Sequence, residues 1–356
     1  MASRARQHTT AKTIVVNDLR TTAVSPWPHR LAVLLALTTF PLIWVGGLVT
    51  TYDAGMAVPD WPGTYGYNLF AYPWTTWLFG PWDLFIEHGH RLLGALVGMI
   101  TLALATVTWL KDDRRWFKEL TIGAVVLVIL QGGLGGARVL WDERLVAMIH
   151  GVTGPAFFAL AASLAVMTSR AWRESASAST TASPGLDSGW MTSAIWLAGL
   201  AYVQLIIGAV MRHIPLWAPP DLFRIAVFFH LGLAAVLCVQ AILIGWKAIR
   251  SWRSSGWLRT PAVGLLALVL LQIALGVATY VAKYAWPAWA ESLTIAATHV
   301  TTEKSLHQSL ITTAHVANGS LILATSVVLA VRASRLRYLA AGVGGLLTFS
   351  GALRAA

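Results

Sequence analysis

Eight apolar stretches, each long enough to cross a lipid bilayer as a helix, constrain this chain more than any other feature. A crossing needs roughly 20 predominantly apolar residues. Only 12% of the residues are charged, about half the share of an ordinary soluble domain. The sequence therefore predicts an all-α polytopic membrane protein. Its spans are expected at residues 31–49, 85–110, 120–137, 146–168, 190–211, 224–246, 261–282 and 307–331.

Polar segments divide these spans into two groups of four. Residues 170–189 are rich in Ser, Ala and Thr and lack periodicity, which is typical of a linker. Residues 338–353 are weakly apolar and too short for a crossing, so we interpret them as interfacial rather than as a ninth span. The expected organisation is a basic tail (1–30), a first half (31–169), a cytoplasmic linker (170–189), a second half (190–331) and a basic, interfacial tail (332–356).

Basic residues accumulate on one side of the predicted membrane. The net charge is +11, and most lysines and arginines lie in the two tails or in the turns after spans two, four and six. Because such residues stay on the cytoplasmic side, both termini are expected there. We expect the bacterial cytoplasmic membrane, with the mitochondrial inner membrane as the alternative. The sequence has no basic stripe with interleaved aromatic residues, so nucleic-acid binding is not indicated. The single cysteine, Cys238, excludes a disulfide within one chain.

A histidine stands near the start of every even-numbered span. His90, His150 and His315 are each followed four residues later by glycine, and His230 is followed by Ala234. Their distances to the next cytoplasmic basic residue are similar, so the four should lie at one depth in the outer part of the membrane. Paired imidazoles from facing helices are axial ligands of haem iron, and a small residue one turn away permits close approach. The alternative is that each histidine only forms a hydrogen bond between helices.

The odd-numbered spans carry a second repeated pattern. Glutamine is followed four residues later by glycine in spans three, five and seven, whereas span one has only Gly46 and Gly47. A pattern in alternate helices predicts a duplicated four-helix unit. The pairs are Gln131 and Gly135, Gln204 and Gly208, and Gln272 and Gly276.

Glu87 suggests an enzyme rather than an electron carrier. It precedes His90 by three residues and is expected on the same helical face. A carrier needs no carboxylate there, whereas a reaction that moves protons does. The alternative is a structural ion pair with Arg91, Arg138 or Arg212. Arg91 is interpreted as a partner for haem propionates, because guanidinium groups bind carboxylates in a forked geometry.

Six other histidines are interpreted as solvated or interfacial rather than as ligands. His307 also precedes span eight, and the polar loop 283–304 lengthens the second half. His307 is therefore kept as the lower-ranked alternative to His315. The six are His8, His29, His88, His213, His299 and His307.

Two motifs of the first half resemble the haem A synthase family. Glu87-x-x-His90-Arg91 is similar to that family's Glu-x-x-His-Arg motif. Residues 55–62, Gly-Met-Ala-Val-Pro-Asp-Trp-Pro, resemble its Gly-Leu-x-Cys-Pro-Asp-Trp-Pro stretch. With eight spans and a histidine pair in each half, the resemblance covers nearly the whole chain. It implies oxidation of a methyl group of haem O to the formyl group of haem A, with oxygen drawn from water.

The resemblance also implies roles and partners. Val58 stands where many members of the family have cysteine, so a thiol-dependent step cannot operate here. The partners would be haem O, haem O synthase, cytochrome oxidase assembly factors and membrane lipid, with oligomerisation left open. The implied roles are Glu87 as the acidic catalytic group, His90, His150 and Arg91 facing the substrate haem, and His230 and His315 as axial ligands of a haem b cofactor.

Two other classes of function compete with this interpretation. A non-catalytic membrane cytochrome b needs the four histidines but neither Glu87 nor the loop motif. A transporter would explain the duplication but not the repeated histidine and small residue. Identification of the extracted pigment separates the three.

Overall fold

A computed structural model describes residues 25–178, 189–215, 217–250, 256–293, 296 and 300–354. These residues form helices and connecting loops, with no strand among them. The helices are α1 (Trp27–Thr51), α2 (Trp74–Phe79), α3 (Trp82–Lys111), α4 (Arg115–Trp141), α5 (Arg144–Thr168), α6 (Arg170–Ala178), α7 (Gly189–His213), α8 (Pro220–Arg250), α9 (Gly256–Tyr284) and α10 (Leu306–Arg354). All except α2 and α6 are long and apolar enough to span a membrane, so the prediction of eight spans is confirmed.

The membrane helices are longer than the apolar stretches from which they were predicted. Proline stands at the start of several of them, with Pro28 in the first turn of α1, Pro81 before α3 and Pro220 opening α8. The fixed φ of proline suits the first helical turn, where its missing N–H costs nothing. Each crossing therefore begins in the polar flank of its apolar stretch.

The last helix continues through the predicted basic tail. α10 has 49 residues, about 74 Å at the α-helical rise, so residues 338–353 continue this helix, and their interfacial position stays a prediction. The boundary expected at Arg332 is absent because this side chain is satisfied within the helix bundle. Its guanidinium donates to the carbonyl of Trp257 at 2.8 Å and stacks on that indole at 4.5 Å.

The first part of the predicted linker is helical. Arg170 and Glu174 form an i,i+4 ion pair on α6, and the buried ring of Trp172 packs beneath the guanidinium of Arg335. The composition of this segment has no periodicity, so the sequence did not predict the helix. Contacts with α10 hold it in place. The rest of that linker, residues 179–188, lies outside the described residues.

The eight long helices pack as two groups of four. In the first group α3 and α5 lie diagonally, because each contacts both α1 and α4. In the second group α8 and α10 are diagonal, because each contacts both α7 and α9. The groups meet where α10 packs against α1 and α5, and where α5 packs against α7. The histidine-bearing helices therefore face each other across the centre of each group.

A long loop, residues 52–81, covers one end of the first group, which we call the loop end. Asp60 organises it by accepting backbone hydrogen bonds from Tyr65 at 2.8 Å and Gly66 at 2.9 Å. The loop exposes large aromatic side chains, including those of Phe70 and Trp74. Such side chains are typical of a membrane–water interface.

A topology reporter fused after Ala356 is expected to be active only in the cytoplasmic compartment. The physical reason is an even number of spans combined with retention of basic residues on the cytoplasmic side. The matched control is the same reporter inserted after Phe70, which should give the opposite result. Activity of the C-terminal fusion only outside the cytoplasm would contradict the proposed orientation.

Candidate functional site

The four histidines at the heads of even-numbered spans form two pairs near the loop end. The ring centres of His90 and His150 are 6.3 Å apart, with the ring planes at 90°. The ring centres of His230 and His315 are 6.4 Å apart, with the planes at 55°. Each histidine lies within about three turns of the start of its helix. The structure thus brings together, in the predicted combinations, the residues that the repeat singled out.

Each imidazole ring lies against a glycine of an odd-numbered span. A Cβ added to Gly46 would come within 2.8 Å of Cε1 of His90, closer than real side chains approach. The corresponding separations are 3.3 or 3.4 Å for Gly135 and His150, Gly208 and His230, and Gly276 and His315. The repeated glycines therefore provide the space that the rings occupy.

The repeated glutamines fix the histidine helices relative to their neighbours. The side-chain amide donates to a histidine carbonyl in three cases: Gln131 to His150 at 3.1 Å, Gln204 to His230 at 3.0 Å and Gln272 to His315 at 3.1 Å. Two of these glutamines also accept hydrogen bonds from the histidine helix, from Thr153 and Asn318. In α1 the corresponding position is Leu42, so span one keeps the glycine but not the glutamine.

The imidazole rings have few hydrogen-bond partners in the protein. Among the described residues, Nδ1 of all four histidines is buried without a partner. Nε2 of His315 lies 3.3 Å from the amide nitrogen of Gln272. The backbone at Leu42, Gln131 and Gln272 also lies within hydrogen-bonding reach of the rings of His90, His150 and His315, respectively. A buried polar atom left unsatisfied costs about 1–3 kcal/mol. Backbone groups of neighbouring helices thus reach three of the four rings, and each imidazole has a second nitrogen that a ligand between the rings could take.

Glu87 and Arg91 fasten the loop to α3. The carboxylate of Glu87 is only 2% exposed; it accepts hydrogen bonds from the backbone N–H of Val58 at 3.0 Å and from Nη2 of Arg91 at 2.9 Å. Arg91 also donates to the carbonyls of Val58 at 2.7 Å and of Asp60 and Gly63 at 2.6 Å each. Both terminal nitrogens of Arg91, which was expected to face the substrate, are therefore engaged by protein acceptors.

The other two candidate partners of Glu87 have different positions. Arg138 lies close enough to act on it electrostatically and donates to the carbonyl of Gly55 at 2.9 Å. Arg212 instead crosses to α1, where it binds the carbonyl of Gly47 at 2.8 Å and the hydroxyl of Thr51 at 2.5 Å. Arg212 thus links the two groups of helices.

His88 is buried, which corrects its interpretation as solvated or interfacial. The side chain is 2% exposed, Nδ1 lies 2.8 Å from the hydroxyl of Thr64, and the rings of Tyr72 and Trp77 pack against it. Burial results from the fold of the loop, which no helical periodicity reveals. His307 is exposed at the start of α10.

Two of the remaining histidines contact other groups of the protein. His29 contacts the hydroxyl of Thr168 at 3.1 Å, and His213 contacts the carbonyl of Ala209 at 2.8 Å. His8 and His299 lie outside the described residues.

Replacing Asp60 with asparagine is expected to loosen the loop. Partial burial raises the pKa of Asp60, but the N–H groups of Gly66 and Tyr65 and the charge of Arg91 outweigh it and hold that pKa below its usual 3.8. A lowered folded pKa makes the stabilisation complete above the unfolded value and removes it as the pH falls through the folded value. We expect Asp60→Asn to speed proteolysis of the loop at neutral pH and to remove its acid dependence. Equal cleavage of variant and wild type would contradict this.

The fold and the site define an integral membrane protein with eight membrane-spanning helices among its described residues and two half-buried histidine pairs. A family profile described as cytochrome oxidase assembly protein matches residues 82–217. Haem A synthase of Symbiobacterium thermophilum is 30% identical over 263 residues, covering 69% of this chain and 83% of the relative. Haem A synthase of Shouchella clausii is 27% identical over 268 residues, covering 70% and 85%. The chain belongs to the haem A synthase family.

Proposed function

We propose that this protein is a haem A synthase, which oxidises a methyl group of haem O to the formyl group of haem A with oxygen taken from water. Family membership supports the reaction. The observation that carries the proposal for this chain is the presence of two half-buried histidine pairs, of which one adjoins the buried carboxylate of Glu87. An acidic group beside one of two otherwise similar sites suits a protein that holds one haem and transforms another.

The spacing of the rings fits two imidazoles on one iron. A metal–imidazole bond is about 2 Å long and the ring centre lies about 1 Å behind the nitrogen, so two axial rings have centres about 6 Å apart. The observed separations of 6.3 and 6.4 Å agree with this. The unpartnered ring nitrogens supply the donor type that haem iron takes.

The two sites are assigned different tasks. We assign haem b to His230 and His315, and the substrate haem O to His90 and His150. The position three residues before His230 is Val227, so the second site lacks the carboxylate that Glu87 provides in the first. Bound haem b supplies one-electron transfer. This assignment treats the two four-helix groups as copies of one unit that diverged in chemistry.

The chain's own residues prepare the first site for proton-coupled oxidation. Conversion of a methyl to a formyl group with water as the oxygen source releases protons and an equal number of electrons. A positioned carboxylate is suited to accept the protons, and the electrons would pass to an external electron acceptor, for which haem b in the second half would supply one-electron transfer. Arg91 orients Glu87 and joins it to the loop. A Cβ on Gly136 would lie 2.4 Å from the indole of Trp61, so that indole packs directly on α4 beside the glycine that contacts His150. Residues 52–81 therefore cover the first site on this side.

The protein would act in the bacterial cytoplasmic membrane with both termini in the cytoplasm. Its substrate would come from haem O synthase, and its product would pass to cytochrome oxidase during assembly. The name of the matching family, cytochrome oxidase assembly protein, supports this setting.

The test is identification of the porphyrins made by cells that contain haem O synthase but no other haem A synthase. Extracts of cells expressing this chain should contain haem A, and extracts of cells without it should contain haem O only. The matched control is His150→Ala, expected to restore the haem O pattern. Haem b as the only pigment of an abundant purified protein, with no haem A in the extract, would favour the electron-carrier alternative.

A further inference from the structure

The first histidine pair has a neighbouring cation whose binding capacity is mostly unused. Arg91, the cation suggested by the motif, is engaged by three loop carbonyls and by Glu87. Within the described part of the chain, Arg138 makes one hydrogen bond, from Nη2 to the carbonyl of Gly55 at 2.9 Å. A guanidinium has five N–H donors, so most of those on Arg138 are available to a ligand.

Arg138 lies near both Glu87 and the first histidine pair. Its charge acts on Glu87 and on both rings, His90 and His150. It is carried by α4, three residues after Gly135, which contacts the ring of His150. A porphyrin held between these rings would thus have the guanidinium at its edge.

The backbone is shaped to admit this guanidinium. A Cβ added to Gly55 would lie 2.3 Å from Nη2 of Arg138 and 2.9 Å from Cζ, so no larger residue fits while Arg138 keeps its place. Gly55 belongs to the loop that Arg91 and Glu87 fasten to α3. The position of Arg138 is therefore set by the same loop that closes the site.

Charge balance points to an anionic ligand. Among the residues that the structure describes, Glu87 is ion-paired with Arg91. Arg138 forms no such ion pair there, although the charges of Glu87 and Asp142 also act on it. Arg138 stands seven residues after the repeated glutamine of α4. The equivalent position on α9, seven residues after Gln272, is Thr279. The position on α9 that corresponds to Arg138 thus carries no cation.

We propose that Arg138 binds a propionate carboxylate of the porphyrin in the first site and so fixes which edge of the substrate faces Glu87. The proposal rests on the proposed function, because it takes haem O as the ligand of His90 and His150. A planar guanidinium binds a carboxylate through paired hydrogen bonds, which orients the ligand as well as holding it. A porphyrin turned within its plane would present another methyl group to the acid. Arg138 is therefore a specificity-determining residue.

The experiment is a titration of the purified full-length protein, carrying its resident haem, with haem O and with haem O dimethyl ester, followed by visible absorption. Arg138→Gln should weaken binding of haem O about ten- to a hundredfold, the effect of losing a charged hydrogen-bonded pair, and leave binding of the diester unchanged. Arg138→Lys should give an intermediate loss, because it keeps the charge but not the fork. Gly55→Ala, which displaces the guanidinium without removing it, should resemble Arg138→Gln.

The outcomes separate this proposal from the one on which it depends. Equal affinities of wild type and Arg138→Gln for haem O would overturn the proposal, and so would an equal loss for haem O and its diester. His150→Ala should abolish binding of both ligands at this site. If it leaves both unchanged while the arginine variants also bind normally, the haem site itself is wrongly placed, and the proposed function fails with it.

Discussion

Replacing Glu87 with glutamine should stop haem A formation, with haem O accumulating and haem b still bound to the second half. Glutamine retains the size of the side chain and an acceptor for Val58 N–H, but it cannot take up a proton. Loss of a positioned acid or base typically reduces rate by about 10²- to 10⁴-fold. The measurement is the ratio of haem A to haem O in extracts, together with the haem b spectrum of the purified protein.

The control for this variant is Glu119→Gln. Glu119 is exposed and pairs with Arg115 in the same i,i+4 arrangement as Glu87 with Arg91, but it lies at the opposite end of the first group. That change should leave haem A formation at the wild-type level. Near-wild-type activity of Glu87→Gln would show that Glu87 only fastens the loop.

A structural role for Glu87 can be separated from a chemical one. Removal of one partner of a buried ion pair leaves the other uncompensated and destabilises a protein by about 3–5 kcal/mol. The double variant Glu87→Gln with Arg91→Gln removes both charges. Because this double variant also removes the hydrogen bonds of Arg91 to the loop, loop protection against protease should fall further than in Glu87→Gln. If proton transfer is the function of Glu87, the single variant loses haem A formation even where its loop remains protected. Activity that falls only in parallel with loop protection would instead assign Glu87 to the loop.

The sequence alone predicted the features that follow from helical periodicity and from the thickness of the membrane. Apolar stretches determine the spans, because a bilayer core excludes unsatisfied backbone. Similar spacing of the four histidines from the cytoplasmic turns predicted a common depth for His90, His150, His230 and His315. The repeated glutamine and glycine have a local explanation as well: one binds a histidine carbonyl and the other admits its ring.

The features that depend on the tertiary structure of the loop could not be predicted from the sequence. The engagement of Arg91 by three carbonyls and the burial of His88 both follow from the path of residues 52–81, which has no periodicity. Extension of α10 through the basic tail depends on the contact of Arg332 with Trp257 of a neighbouring helix. Charge alone marked Arg332 as the start of a tail. In each case a long-range contact satisfies a polar group whose pairing the local sequence does not specify.

The second large effect concerns the choice between His315 and His307. We expect His315→Ala to lose nearly all haem b and His307→Ala to keep the wild-type amount, measured as haem per purified protein. The ring of His315 lies 6.4 Å from that of His230, next to Gly276 and Gln272. His307 is exposed and stands about 12 Å earlier along the helix axis, too far for its ring to pair with His230 without a shift of α10.

A variant that leaves both histidines in place tests the same geometry independently. In Gly276→Val the added side chain would enter the space occupied by the ring of His315, since even a Cβ there lies 3.3 Å from Cε1. This variant should therefore reduce haem b while the protein remains folded, as judged by its helical circular dichroism. The matched control is Gly264→Val on the same helix, where an added Cβ meets no neighbouring atom within 4 Å. Retention of haem b by His315→Ala together with its loss in His307→Ala would place the ligand two turns nearer the loop end and refute the pairing seen in the structure.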